Sequence, residues 1–559
     1  MTRNESKWMT TCAAAMLAAF STAGASAQQI SEARIKELIK QAADQVGPSA
    51  TLQPLPQPAP AATRAVVRLT LDDAVKFALD RNLDIAVQRL NPEIQDIAYA
   101  SAEAVYHPTL TSIFSDSSTA STNSSQTNQA AGGGIPKTDT INYNGGIAQS
   151  IPWGGGSFTA QLNNNRSFTN INNITCNPCF QPLWTGTYIQ PLLRNFNIDS
   201  TRQTLAVTKI SRDISDIQLR ATITNTLSNV RNAYWDYVFA VQAVEVAQQS
   251  LSLASKLVQD NQTRVEVGTM APIDVVSAQS EAATRKQALV QAQATQRTTE
   301  IALKRLIVSG TQDPNWNATI DPVDRPDFRP EPVDIESAVR RALSERTDVA
   351  IARKNVEAND VTLKYLGDQM KPQADLQAVY GIAGLGGDLL TRSSGELGAP
   401  ITTTNVTGIT GAYSTLFRQN YPRWTVQLNL SYPLGLSAQK ASVARARVQV
   451  NQIQAQLKQV ELQVATDVTN AAISVQNNAE AVQAAGAARE LAQKKLEAAQ
   501  SKFDVGISTN FEVVQAQRDL ADAQNTELRN ILNYRKALVE IERVQQTTLG
   551  SLGITLIGR

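Results

Sequence analysis

Two carboxylates, Asp274 and Glu512, stand at matching places in two copies of one short frame. The first copy reads Val265-Glu266-Val267-Gly268-Thr269-Met270-Ala271-Pro272-Ile273-Asp274-Val275-Val276. The second reads Phe503-Asp504-Val505-Gly506-Ile507-Ser508-Thr509-Asn510-Phe511-Glu512-Val513-Val514. An acid in a first helical turn is favoured by the positive end of the helix dipole. Acid–base catalysis would also need positioned partners, and the chain has one histidine, His107, set just before Pro108 at a helix-to-strand junction where a structural role suffices. The glycine clusters Gly132-Gly133-Gly134 and Gly154-Gly155-Gly156 are not followed by a Lys-Ser/Thr pair and a helix, so they read as turns rather than phosphate loops. No catalytic constellation, metal-ligand set or cofactor motif emerges, and an enzyme is not expected. The remaining reactive pair is Cys176 and Cys179 in Thr-Cys-Asn-Pro-Cys. In an exported protein it reads first as a local disulfide. A redox or metal site is the alternative, with no second cysteine pair and the histidine far away in sequence.

The elements that must hold these acids are helical hairpins. Gly268 and Gly506 supply the left-handed residue that closes a helix. Pro272 in the first copy, and Thr509 and Asn510 in the second, suit a helix start. Ahead of the second bend, Val450, Ile453, Leu457, Val460, Val464, Val468, Ala471, Val475, Ala479 and Val482 recur in steps of three and four, a coiled-coil seam. A helix over 439–503 would be about 95 Å long at 1.5 Å per residue, a rod with Gln, Asn, Ala and Lys on its wetted faces. Strands are patterned at matching points in both halves. In Trp424-Thr425-Val426-Gln427-Leu428-Asn429-Leu430-Ser431-Tyr432 every second residue is apolar, with aromatics at both ends, which is the lipid-out, water-in alternation of a membrane barrel. The run reaches the roughly 9–11 residues that a tilted spanning strand requires. Segments 141–151 and 157–168 predict a further hairpin turning at Pro152-Trp153-Gly154-Gly155-Gly156, while 115–134 and 381–420 read as exterior loops.

The halves are copies of each other. Asp72-Asp73-Ala74-Val75-Lys76-Phe77-Ala78-Leu79 recurs as Glu336-Ser337-Ala338-Val339-Arg340-Arg341-Ala342-Leu343, and Asn232-Ala233 as Asn470-Ala471. Residues 1–27 read as a secretory signal, with Arg3 and Lys7 before an apolar run and Ala25-Ser26-Ala27 at the cleavage point. Residues 28–66 form an N-terminal extension, with a short amphipathic helix expected at 30–43 and a proline-rich linker after it. The first repeat covers 67–312, with strands over 109–190 and a helical hairpin over 200–310. A proline-rich connector spans 313–332. The second repeat covers 333–559, with strands over 373–432 and a hairpin over 437–548. No later apolar run is long enough to span a bilayer as a helix, so any crossing is by strands. A net charge of +1, with 18% charged residues, gives nucleic acid no electrostatic footing.

The duplicated acid-Val-Gly frame at the end of a long coiled coil, together with the signal, resembles the tips of TolC-type outer-membrane efflux ducts, and the resemblance runs from about Leu69 to Leu549. It implies an α+β membrane protein in which a duplicated helix–strand–long-helical-hairpin repeat forms, as a homotrimer, an outer-membrane β-barrel continued by a periplasmic α-helical barrel. It also implies export of small molecules handed over by an inner-membrane transporter and a periplasmic adaptor, in contact with outer-membrane lipid. By position, Glu512 and Asp274 match family acids that line the closed periplasmic mouth, and Gln515 stands where a second aspartate is usual. The tips Val267-Gly268 and Val505-Gly506 match the surface that docks on the adaptor. Phe503 and Ser508 replace the tyrosine and arginine that lock the mouth in the best-known members. The family norm is four strands per chain, and the 141–168 hairpin would raise it to six if it joins the barrel. A duct for one polypeptide and an exported coiled-coil adhesin or scaffold are the alternative readings.

Overall fold

Each half of the chain builds two short helices, then strands, then a long helical hairpin, because each carries the same apolar periods and the same tip frame. In a computed structural model the described residues are 65–122, 130, 133–172, 174–325, 328–330, 332–394, 399–432, 434–435 and 438–554. The signal, the helix expected at 30–43 and the linker up to residue 64 lie outside them, as does Gly132.

Strand β1 (Val66–Leu69) leads into α1 (Leu71–Arg81), which starts at Thr70, whose hydroxyl accepts from the Asp73 amide at 3.1 Å. Helix α2 (Leu83–Glu103) follows at once, capped by Asn82 Oδ1 on the amides of Asp84 and Ile85 at 2.9 and 3.2 Å. Strands β2 (Thr109–Ala120), β3 (Lys137–Ser150), β4 (Ser157–Thr169) and β5 (Cys176–Pro191) come next. Asp199 then caps α3 (Ser200–Glu266), which turns at the first tip into α4 (Pro272–Ile307). The connector expected at 313–332 carries a helical turn at Pro314–Asn317 and strand β6 (Thr319–Pro322), which pairs in parallel with β1 from Val66↔Thr319 to Leu69↔Pro322. Part of that connector is therefore structural, because the two short strands satisfy each other's backbone groups where the halves meet.

The second half supplies α5 (Ile335–Glu345), α6 (Thr347–Asp368), β7 (Gln373–Ala383), β8 (Gly386–Arg392), β9 (Ile401–Val406), α7 (Gly408–Phe417), β10 (Tyr421–Ser431), α8 (Ala438–Asp504) and α9 (Asn510–Val544). The two long helices, α3 and α8, are both 67 residues. Along the expected seam Val464, Val468, Ala471, Val475 and Val482 are buried, while Ile453, Leu457, Val460 and Ala479 are half-buried. No described helix is long and apolar enough to cross a membrane.

The sheet runs β10-β7-β5-β4-β3-β2, all antiparallel neighbours, with β8 pairing with the start of β5 and β9 with β8. The hairpin β3–β4 closes as Ser150↔Ser157 and lies inside the sheet between β2 and β5. One face carries Leu376, Ala378 and Tyr380 opposite Leu428, Val426 and Trp424, and the other carries Gln377, Thr425, Gln427 and Asn429. Both expected exterior loops are shorter than the sequence suggests. Strand β2 continues to Ala120 because β3 extends to Lys137 and pairs with it there. Within 381–420, β8, β9 and α7 form because β5 outruns β7, so its first residues need other partners: Cys179 faces Gly387 and Phe180 faces Gly386. Cys176 and Cys179 are disulfide-bonded at this junction.

Candidate site at the hairpin tips

Both tips close in the same way. Val267 and Val505 end their helices, and Gly268 and Gly506 each sit at φ +79°. The amide of Thr269 donates back to the Arg264 carbonyl, and that of Ile507 to the Lys502 carbonyl, each at 2.9 Å. This is the Schellman geometry that terminates a helix on a left-handed residue. A Cβ added at either glycine would meet nothing within 4 Å, so backbone conformation, not space, selects glycine. The surface around them is apolar. Val267 and Val505 are both 69% exposed, and Ile273, Ile507 and Phe511 are also exposed.

The acids sit just inside these tips. Glu512 is exposed and accepts a hydrogen bond from the Ser508 hydroxyl at 2.7 Å, so Ser508 supports the acid one turn on. Asp274 is half-buried, and its backbone carbonyl accepts from the Asn510 side-chain amide at 3.3 Å. Gln515 is directed along its own helix, donating to Asp519 Oδ1 at 2.8 Å. Lys495 and Gln515 together hold the Asp519 carboxyl below its ordinary value.

Further groups at this end were not singled out in the sequence. Arg264 reaches from α3 to the second tip, donating to the Phe503 carbonyl at 3.0 Å and lying 4.3 Å over the buried Phe503 ring. It also pairs with Asp504 at 3.3 Å. The Asn261 amide on α3 donates to Asn510 Oδ1 on α9 at 2.9 Å. Higher up, Glu281 of α4 is buried between Arg285, at 2.7 Å, and Arg518 of α9, whose Nε lies 3.1 Å away. Burial pushes the Glu281 carboxyl up, but the hydrogen bonds and charges of Arg518 and Arg285 outweigh it and hold the group below the ordinary glutamate value. The two hairpins are thus clamped by Arg264–Phe503, Asn261–Asn510–Asp274 and Glu281–Arg518. The Glu281–Arg285 spacing of four residues on one helix was the only local hint of this clamp. Its other members meet across more than two hundred residues.

A family model described as outer membrane efflux protein matches residues 192–308 and 338–544. No curated protein sequence matches the chain. Among solved structures, the CmeC outer membrane channel of Campylobacter jejuni is similar with a TM-score of 0.60 at 14% identity, covering 85% of this chain and 85% of that one. VceC from Vibrio cholerae is similar at 0.59 and 14%, covering 85% and 95%. The open state of the Neisseria gonorrhoeae MtrE channel is similar at 0.58 and 16%, covering 85% and 88%. At these identities the likeness is one of fold.

Proposed function

Since this chain belongs to the outer membrane efflux protein family, an export duct in the outer membrane, we propose that three copies close into that duct and that its hairpin tips form the periplasmic mouth. The observation that carries this is the open sheet. Strands β2 and β10 end its main six-strand path, each with one side unpaired among the described residues. In lipid every backbone group must find a partner, so such a sheet spans a bilayer only if neighbouring copies complete a barrel. A second feature agrees. Leu83, Val87, Leu90, Ile94 and Ile97 of α2 are exposed at steps of four and three, a seam waiting for another helix. Three is the family's number. Six main strands per chain in place of four would widen the barrel.

The exposed apolar tips around Gly268 and Gly506 are proposed as the surface that a periplasmic adaptor grips, with an inner-membrane transporter behind it. The cargo is proposed to be small molecules. Cells lacking the gene should become sensitive to a set of small toxic compounds. Loss of one secreted polypeptide with no such sensitivity would overturn the small-molecule reading in favour of polypeptide export.

The mouth residues make a prediction in planar bilayers. Three Glu512 side chains facing one axis would repel one another, and multivalent cations would bind there and block the pore. Glu512→Gln should remove most of the block. Gln515→Asp should strengthen it, because the new carboxylate would stand beside Asp519. Equal block in wild type and Glu512→Gln would place the constriction elsewhere. The clamp makes a second prediction in the same assay. Losing the charge-assisted bonds of the half-exposed Arg518 is worth about 1.5 kcal/mol, roughly tenfold in the closed-to-open ratio, so Arg518→Ala should conduct more at neutral pH. Because the Glu281 value is depressed in the folded protein, its contribution is present above the ordinary glutamate range and is lost only as pH falls below it. Wild-type conductance should therefore hold steady down to that range and rise beneath it. A rise already at weakly acidic pH would contradict this assignment.

A further inference from the structure

Helix α7, with the sequence Gly408-Ile409-Thr410-Gly411-Ala412-Tyr413-Ser414-Thr415-Leu416-Phe417, has no charged residue. It is pinned flat against the sheet. Ala412 and Leu416 are buried there, and Gly384 and Gly386 make room for them. A Cβ at Gly384 would come within 2.2 Å of the Ala412 carbonyl oxygen, and one at Gly386 within 2.3 Å of the Ala412 nitrogen. The Tyr413 hydroxyl donates to Asn164 Oδ1 at 2.6 Å, and the Leu385 amide donates to the Thr415 hydroxyl at 2.8 Å.

The strand registers show which face this is. Asn164 pairs with Pro182, and two residues along each strand on the same face stand Leu162 and Trp184. Trp184 is edge-on to Tyr380, which pairs with Trp424. The helix therefore sits on the apolar, lipid-facing side of the sheet, just beyond the aromatic row at one end of the apolar band. Phe417 is 80% exposed and shares the outward face with Thr410 and Ser414, seven and three residues before it, while Ile409 is exposed on the flank. Two cations lie at this level. Arg418 caps the helix, and Arg166 lies two residues beyond Asn164 on the same face, 5.9 Å over the Phe180 ring. Neither has a carboxylate partner among the described residues.

We propose that α7 is an interfacial anchor: it lies in the headgroup layer of the outer leaflet, with Phe417 and Ile409 inserted toward the acyl chains and Arg418 and Arg166 facing lipid phosphates. Lipid is the occupant because Phe417 and Ile409 add exposed apolar surface beside the lipid-facing band, and Arg418 and Arg166 stand at the same level without a carboxylate partner among the described residues. Amphipathic helices with an aromatic edge bind in that plane by buried apolar area plus attraction to anionic lipid. The proposal rests on the sheet being the outer-membrane barrel, and the test separates the two.

Full-length protein carrying one nitroxide label would be reconstituted in vesicles of phosphatidylethanolamine and phosphatidylglycerol, with the native cysteine pair oxidised. Collisions with oxygen, which concentrates in lipid, would be compared with those of a water-soluble nickel chelate. A label at Phe417→Cys should collide with nickel several-fold less often than one at Ser414→Cys, approaching a label at Leu428→Cys within the apolar band. Replacing phosphatidylglycerol by phosphatidylcholine should raise the nickel collisions at Phe417→Cys about twofold or more. Adding Arg418→Gln should shrink that rise. Equal nickel access at Phe417→Cys and Ser414→Cys, with Leu428→Cys shielded, would overturn the anchor and leave the barrel standing. Nickel access at all three would remove the barrel as well. No response to the change of lipid would overturn the role given to the arginines.

Discussion

Gly506→Val is expected to abolish export while leaving the assembled protein intact. Gly506 sits at φ +79°, in the left-handed region that costs an ordinary L-residue about 1–2 kcal/mol and a β-branched one more. Nothing lies within 4 Å of the missing Cβ, so valine would not clash. It would instead force the turn into another conformation. The backbone bonds from Gly506 to Phe503 and from Ile507 to Lys502 would be lost, and with them the placement of Val505, Ile507 and Phe511. The buried seam along α8 and the sheet lie far along the chain from this turn, so oligomers should form in normal yield. Gly268→Val should act in the same direction, since its tip has the same φ and the same closing bonds. Gly506→Ala should be milder. The measurement is compound accumulation in cells, beside crosslinking of the tip to its periplasmic partner. Normal export by Gly506→Val would remove the docking role from the tips.

The tips were legible because glycine, the helix restart and the acid are local signals repeated twice. The long helices were legible because a seam from Val464 to Val482 declares its period over many turns. The hairpin β3–β4 was legible from its turn, Pro152 to Gly156, and from partial alternation on both sides. What stayed hidden depends on contacts across the fold. Strands β8 and β9 form because β5 is longer than its partner β7, a fact no local pattern carries. Helix α7 looked like loop because Gly408, Gly411 and its threonines weaken helix propensity; the sheet beneath it supplies what the sequence lacks. The clamp was hidden for a related reason. Arg264, Glu281 and Arg518 lie on polar helix flanks where charged residues are ordinary, and only folding brings them together.

The most direct test of the whole account is whether neighbouring copies complete the sheet. The order β10-β7-β5-β4-β3-β2 leaves β2 and β10 as ends, and successive antiparallel pairing makes them run in opposite directions, as strands of adjacent copies must. Thr111 and the Thr425, Gln427 and Asn429 set face away from the apolar side, so cysteines there would meet across the junction without entering lipid. Full-length protein carrying Thr111→Cys with Thr425→Cys, Gln427→Cys or Asn429→Cys, one pairing at a time, would be oxidised in outer-membrane vesicles and resolved on a denaturing gel. The native pair, Cys176 with Cys179, is already joined within the chain. The account predicts that at least one pairing gives a ladder ending at three copies, which reducing agent returns to one. Crosslinks that stop at two copies, run beyond three, or fail for every pairing would contradict it.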